Sequence, residues 1–242
     1  RRGRPSPGSG FKDCSTWPAR VASVSLPSSG RPCNLAEILL LGTKNTHKTA
    51  ELAEILAGLP WEVRSLAAAP ALPEPDETGA TFEQNSLLKA SYYCQATGWT
   101  CVADDSGIVV DALDGAPGVY SARYAGSSAT DTDNNRKLLK ELMGAHETLR
   151  TARFVCCAAI VHPDGRVRVE TGTVEGRIAL EPRGQAGFGY DPLFIPEGYT
   201  QTFAELGAPV KQRISHRARA FRKLRLYLER LDESSPSNPR RD

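Results

Sequence analysis

The chain is 242 residues long, 40% hydrophobic and 24% charged, enough for one sizeable α/β domain or two small ones. It has no apolar run near the roughly 20 residues that a membrane-crossing helix needs, so no membrane partner is expected. Its formal charge of +2 is uneven: residues 1–33 carry six Arg or Lys against one acid, and the rest of the chain therefore sums to −3. That balance disfavours a nucleic-acid groove and leaves a small anionic substrate open.

Of the first 33 residues, 16 are Gly, Pro or Ser. Such a composition buries too little apolar surface to offset its ordering entropy, and it has no apolar segment of secretory type. Residues 1–33 therefore read as a disordered basic extension. A strand is expected at Ile38–Leu41, followed by a helix from Thr46 to Ala57 that Gly58 stops. A Pro- and acid-rich loop runs from Pro70 to Glu77. Thr81 to Gln84 has the form of a capping box and opens a helix to Thr97, which Gly98 ends. Short strands at Thr100–Ala103 and Ile108–Asp111 flank an Asp-Asp-Ser-Gly turn. An amphipathic helix spans Asp131–Met143. Arg153–Val161 and Arg166–Val174 form a hairpin around His162-Pro163-Asp164-Gly165. A strand at Leu193–Ile195 and a helix over Ser215–Leu231 complete a domain spanning 34–231, with a loose tail over 232–242. Strands that sometimes succeed one another and sometimes alternate with helices predict an α/β fold with a mixed sheet and flanking helices.

The six cysteines, Cys14, Cys33, Cys94, Cys101, Cys156 and Cys157, form no C-x-x-C pair and have no histidine at zinc spacing. They read as buried free thiols of a reducing, cytoplasmic protein, although Cys14 and Cys33 could bridge. Cys156 and Cys157 are expected on opposite faces of a strand.

Three segments bear chemistry. Thr43-Lys44-Asn45-Thr46-His47-Lys48 follows a strand and opens a helix, where free amides, the helix dipole and Lys48 attract phosphate. Glu51, three residues on, could orient Lys48. A capped surface helix with a solvated Lys-Glu pair is the plainer alternative, and neither common glycine-rich phosphate loop is present. Glu77, Asn85 and Lys89 can line one side of a cleft, or simply a solvated face. Asp104 and Asp105 repel each other and so call for a cation or for a raised pKa on one member. Magnesium, which favours one or two carboxylates plus substrate phosphates, suits them, and a carboxylate here can take a proton from water. An Asx turn competes with that reading. In Gly187-Phe188-Gly189-Tyr190-Asp191-Pro192, Phe188 can offer its face to a base and Asp191 can accept from a ring N–H, unless the aromatics fold into the core. Lys211, His216 and Arg217 can read base carbonyls or contact phosphate, or merely line an exposed helix.

Taken together, these segments resemble the inosine/xanthosine triphosphate pyrophosphatase family. The motifs are Thr-x-Asn-x-x-Lys-x-x-Glu at 43–51, Glu-Thr-Gly-x-Thr-Phe-x-x-Asn-x-x-x-Lys-Ala at 77–90, Ala-Asp-Asp-Ser-Gly at 103–107, Gly-Ala-Pro-Gly-Val-Tyr-Ser-Ala-Arg-Tyr at 115–124, Gly-Phe-Gly-Tyr-Asp-Pro at 187–192 and Ser-His-Arg at 215–217. The resemblance implies Mg²⁺-dependent hydrolysis of ITP, dITP or XTP to the monophosphate and diphosphate. The 43–48 segment (Thr43, Lys44, Asn45, Thr46, His47, Lys48) and Lys89 would hold the triphosphate. Glu77 and Asp105 would bind Mg²⁺, and Asp104 or Asp105 would activate water. Ser106 would touch substrate, and Phe188, Gly189, Tyr190, Asp191, Lys211, His216 and Arg217 would form the base pocket. It further implies a long mixed sheet with two helical lobes around a central cleft, and a homodimer. Lys44 stands where many relatives have Gly. A pyrophosphatase for modified pyrimidine nucleotides and a catalytically silent nucleotide binder are the rival readings.

Overall fold

A computed structural model of the chain describes residues 37–69 and 71–234. The expected extension over 1–33, with Cys14 and Cys33, lies outside the described residues, as does the tail beyond Ser234. The elements are β1 (Glu37–Leu41), α1 (Thr46–Ile55), β2 (Trp61–Ser65), α2 (Phe82–Thr97), β3 (Thr100–Val110), α3 (Asp131–Glu141), β4 (Thr151–Val161), β5 (Val167–Ile178), β6 (Phe194–Pro196), α4 (Phe203–Ile214) and α5 (His216–Ser234). They form one six-stranded sheet in the order β2-β1-β3-β4-β5-β6. β1 runs parallel to β2 and β3, and the pairs β3–β4, β4–β5 and β5–β6 are antiparallel. The mixed α/β sheet expected from the sequence is therefore present.

The alternation of side chains along each strand decides which helix covers which face. Leu39, Leu41, Val102, Cys156, Ala158 and Ile160 point to one face. There they pack under Leu52 and Leu56 of α1 and Ala220, Phe221, Leu224 and Leu228 of α5. The intervening Leu40, Cys101, Ala103, Ala159 and Val161 point to the other face and pack under Ala90, Tyr93 and Cys94 of α2. A third cluster gathers Ile108, Val110, Phe154, Val174 and Phe194 with Leu138 of α3 and Phe203 of α4, and forms a second lobe around the far half of β3. Each fully buried Leu or Phe contributes on the order of 1.5–3 kcal/mol.

Helix ends follow local chemistry. Asn45 accepts from Lys48 N at the start of α1. Thr81 accepts from Gln84 N and Gly98 closes α2 in the left-handed region. The Gln84 amide reaches Ala80 N, so the expected capping box is only half formed. Both α3 and α4 begin with complete boxes, Thr130–Asp133 and Thr202–Glu205.

Two elements exceed the sequence reading. β2 has little apolar alternation to announce it. In α4, Pro209 and a positive-φ Gly207 interrupt the helical pattern, so that Gly207 kinks the helix. α5 also runs three residues beyond Leu231.

Candidate active site

The cleft exists because β1 stops early. β1 pairs only with Thr100–Val102 of β3, whereas β4 accompanies β3 from Cys101 to Val110. Beyond Gly42, whose amide donates to Val102 O at 2.8 Å, the edge of β3 from Asp104 to Gly107 opens onto a cavity of about 300 Å³. α1, α2, α3, the 187–191 loop, α4 and α5 all contribute to its wall. Ser121 Oγ closes the far end of that edge by accepting from Ile108 N at 2.9 Å.

The Asp-Asp-Ser-Gly segment is not the turn expected from its composition. It continues the strand, with Asp104 opposite Ala158 and Asp105 opposite Cys157. The two carboxylates consequently leave on opposite faces of the sheet. Asp104 is buried beneath α1 and α5. Its Oδ2 accepts from Lys48 Nζ at 3.0 Å, Ser106 Oγ at 3.1 Å and Arg217 Nε at 3.4 Å. Burial pushes its carboxyl up, but Lys48 and Arg217 overcome that and hold it far below the usual carboxylate range. The expectation that Glu51 orients Lys48 fails. Glu51 instead binds Arg217 Nη1 at 2.6 Å and Lys211 Nζ at 3.3 Å.

Asp105 faces α2 and lines the cavity. Asn85 Nδ2 donates to its Oδ2 at 3.1 Å, and Lys89 Nζ lies 3.4 Å from its Oδ1. The same lysine donates to Glu77 Oε1 at 2.7 Å, while Arg123 sits 3.5 Å from Glu77 Oε2. Burial, with Lys89 opposing and Glu77 adding, leaves the Asp105 carboxyl raised above its ordinary value. Glu77, also partly buried, is lowered by Lys89. Asn85 is held in place by accepting from Gly79 N at 2.7 Å. A side chain at Gly79 would bring its Cβ within 2.5 Å of that same oxygen.

Glu77 and Asp105 share the Lys89 ammonium, with Arg123 a longer, partly exposed contact on Glu77, and hard divalent cations select such paired carboxylate oxygens. Among the described residues no group of three or more His, Cys, Asp or Glu is placed to hold a metal. An ion at Glu77 and Asp105 would therefore complete its shell from water and phosphate, which is how Mg²⁺ is ordinarily held.

Across the cleft the 187–191 loop carries Phe188. The His47 ring stacks on it at 5.3 Å and 15°, and Lys211 Nζ lies 4.1 Å from its centroid. Asp191 does not await a ligand. Buried, it accepts from Lys211 Nζ at 2.6 Å and Phe188 N at 2.9 Å. Of the two aromatics in this loop, Tyr190 takes the core alternative: it is buried and donates to Ser121 O at 2.8 Å. Gly187, at φ +82°, cannot carry a side chain, because a Cβ would fall 2.2 Å from Asp191 Oδ2. His216 stacks on Phe154 at 4.7 Å, and its Nδ1 is buried without a partner among the described residues. Burial, helped by Arg217 and Lys211, drives its pKa well below the ordinary 6.5. The start of α5 presses on β5 at Gly172, where a Cβ would meet His216 O at 2.1 Å. That close approach seats His216 and Arg217 over the cleft.

Of the residues singled out in the sequence, Thr43, Asn45, Lys48, Glu77, Lys89, Asp105, Ser106, Phe188, Gly189, Tyr190, Asp191, Lys211, His216 and Arg217 line this one cavity. Lys44 and Thr46 face a separate groove beside Leu66 and Leu72. Sequence reasoning passed over Ser121, Arg123, Asp131, Asn134 and Phe154. Ser121 and Arg123 lie inside a quoted motif, but only the fold shows what they touch.

A family model described as the Ham1 family matches residues 39–227. The chain is 50% identical to a dITP/XTP pyrophosphatase of an Exiguobacterium species over 186 residues, 77% of this chain and 94% of that protein. It is 48% identical to a dITP/XTP pyrophosphatase of Streptomyces coelicolor, over 77% of this chain and 94% of the relative. Among solved structures, a HAM1 protein from Coxiella burnetii superposes with a TM-score of 0.75 at 38% identity, covering 80% of this chain and 99% of its own. A nucleoside-triphosphatase / dITP/XTP pyrophosphatase from Mycobacterium abscessus gives 0.65 at 45% identity, covering 77% and 97%.

Proposed function

The chain belongs to the Ham1 family, and we propose that it hydrolyses deaminated purine nucleoside triphosphates (ITP, dITP and XTP) to the monophosphate and diphosphate. The observation that carries this reading is the cavity itself, in which the Glu77–Asp105 carboxylate pair, three lysines and a ring platform converge. Lys48 and Lys89 attract the phosphate oxygens, and free amides at the start of α1 add donors. Asp105 is the base. It faces the cavity and its Oδ1 is only loosely held, whereas Asp104 lies outside the cavity lining with its Oδ2 engaged by Lys48, Ser106 and Arg217. Asp105 takes a proton from water as the water oxygen bonds the α-phosphorus and the bond to the bridging oxygen breaks. Lys48 and Lys89 then face the charge that gathers on the departing diphosphate. Mg²⁺ is part of the proposal: held by Glu77 and Asp105, it would supply charge neutralisation to the phosphates.

Discrimination rests on the ring end. Lys211 and Arg217 are donors that suit a 6-keto oxygen, and a 6-amino group would leave them facing another donor. A single catalytic domain over 34–231, a homodimer and a cytoplasmic location complete the proposal. The buried free thiols Cys94, Cys101, Cys156 and Cys157 favour a reducing compartment.

The test is diphosphate release from ITP, dITP, XTP, ATP, GTP and dUTP, with and without Mg²⁺. The deaminated purines should be preferred by at least about 100-fold in kcat/KM, and only with the metal present. ATP or dUTP turning over as fast as ITP would overturn the reading.

A further inference from the structure

We propose that Asp131 and Asn135 of α3 are positioning residues that clamp the Gly189 peptide and so fix Phe188 as the platform for the purine ring. The proposal rests on the base pocket described above. Gly189 sits at φ +61°, the left-handed region that glycine enters without strain, so contacts to its peptide rather than its own sterics must hold the loop in place. Both polar groups of this residue are taken by α3. Its N–H donates to Asp131 Oδ2 at 2.7 Å, and its carbonyl accepts from Asn135 Nδ2 at 3.0 Å. The two side chains lie four residues apart and therefore on one face of the helix. The neighbouring Asn134 ties the same helix to the segment after β3, accepting from Ala125 N at 2.8 Å and donating to Ala122 O at 3.1 Å.

Asn135 shows that this contact is not there for stability alone. Its Oδ1 is buried without a partner among the described residues, and an unpaired buried acceptor is costly. An apolar side chain of similar size would avoid that cost. What only the amide supplies is a directed donor to Gly189 O. Phe188 precedes that peptide, so a loop released from α3 is free to rotate the ring away from its contacts with His47 and Lys211.

Three variants separate the possibilities. Asn135→Leu removes the donor together with the unpaired oxygen, Asp131→Ala removes the acceptor, and Asp131→Asn keeps one. The proposal expects Asn135→Leu to melt no lower than the wild type. Amide hydrogen exchange over residues 187–191 should rise about tenfold in both Asn135→Leu and Asp131→Ala, and return close to the wild-type rate in Asp131→Asn. KM for ITP should rise about tenfold in the first two, with kcat changed less than about threefold and the preference for ITP over ATP reduced. Unchanged exchange at 187–191 overturns the clamp. Faster exchange with unchanged KM and preference overturns its role in recognition. The exchange measurement needs no nucleotide, so a wild-type protein inactive on ITP would overturn the proposed substrate and still leave the clamp itself tested.

Discussion

The two faces of β3 carry chemically identical carboxylates one residue apart, and the fold treats them oppositely. On the face under α1 and α5, Asp104 has four donors on one oxygen, the Cys156 thiol among them, and Glu51 bridges Arg217 to Lys211. On the face under α2, Asp105 shares Lys89 with Glu77, which Arg123 also approaches, and opens onto the cavity. The first arrangement is a buried ion cluster in which Asp104 Oδ2 takes the donors and Oδ1 is left without a partner among the described residues. The second opens onto the cavity, and the proposed chemistry depends on that access. Adjacency in sequence says nothing of this difference, because a strand sends neighbours to opposite sides.

The contrast can be broken most severely at Asp105. Asp105→Asn should lower kcat by about 10²–10⁴-fold, the range for loss of a general base, with a melting temperature within a few degrees of the wild type. Wild-type turnover of ITP in that variant would move the base elsewhere. The mirror experiment is Asp104→Asn, which leaves Arg217 and Lys48 buried around a neutral amide. Its main effect should be a stability loss of about 3–5 kcal/mol in chemical denaturation. A variant as stable as the wild type but inactive would mean that the two faces have been assigned the wrong way round.

The smallest effect is a slope. The unfolded chain protonates His216 near the ordinary 6.5, and the folded chain does so only at much lower pH. The unfolded state therefore binds more protons, and stability falls as pH drops below about 6.5. Between pH 7 and 5.5 this should cost about 1 kcal/mol. His216→Phe, which keeps a ring on Phe154, should flatten the curve by that amount when both proteins are denatured across the range.

Much of this was legible in the chain before any fold was known. The caps at Asn45, Thr81 and Gly98 and the β4–β5 hairpin follow from residue types at fixed spacings, and the convergence of Glu77, Lys89, Lys211 and Arg217 was what the family resemblance implied. The errors have physical causes. Asp-Asp-Ser-Gly looks like a turn because these residues disfavour strands, yet pairing along β4 overrides that preference. Tyr190 could face the cleft or the core on its sequence, and the second lobe buries its ring and uses its hydroxyl. α4 was missed at Gly207 and Pro209 even though Thr202 and Glu205 spell a capping box. Glu51 faced Lys48 on paper, and two cations from α4 and α5, distant in sequence, claimed it instead.

The early end of β1 sets the size of the reaction chamber, since the cavity occupies the place where more of that strand would lie. Strand length therefore acts as a ruler for substrate width. A few strand-forming residues added after Leu41 would zip along Asp104–Gly107 and silence the enzyme without altering either aspartate.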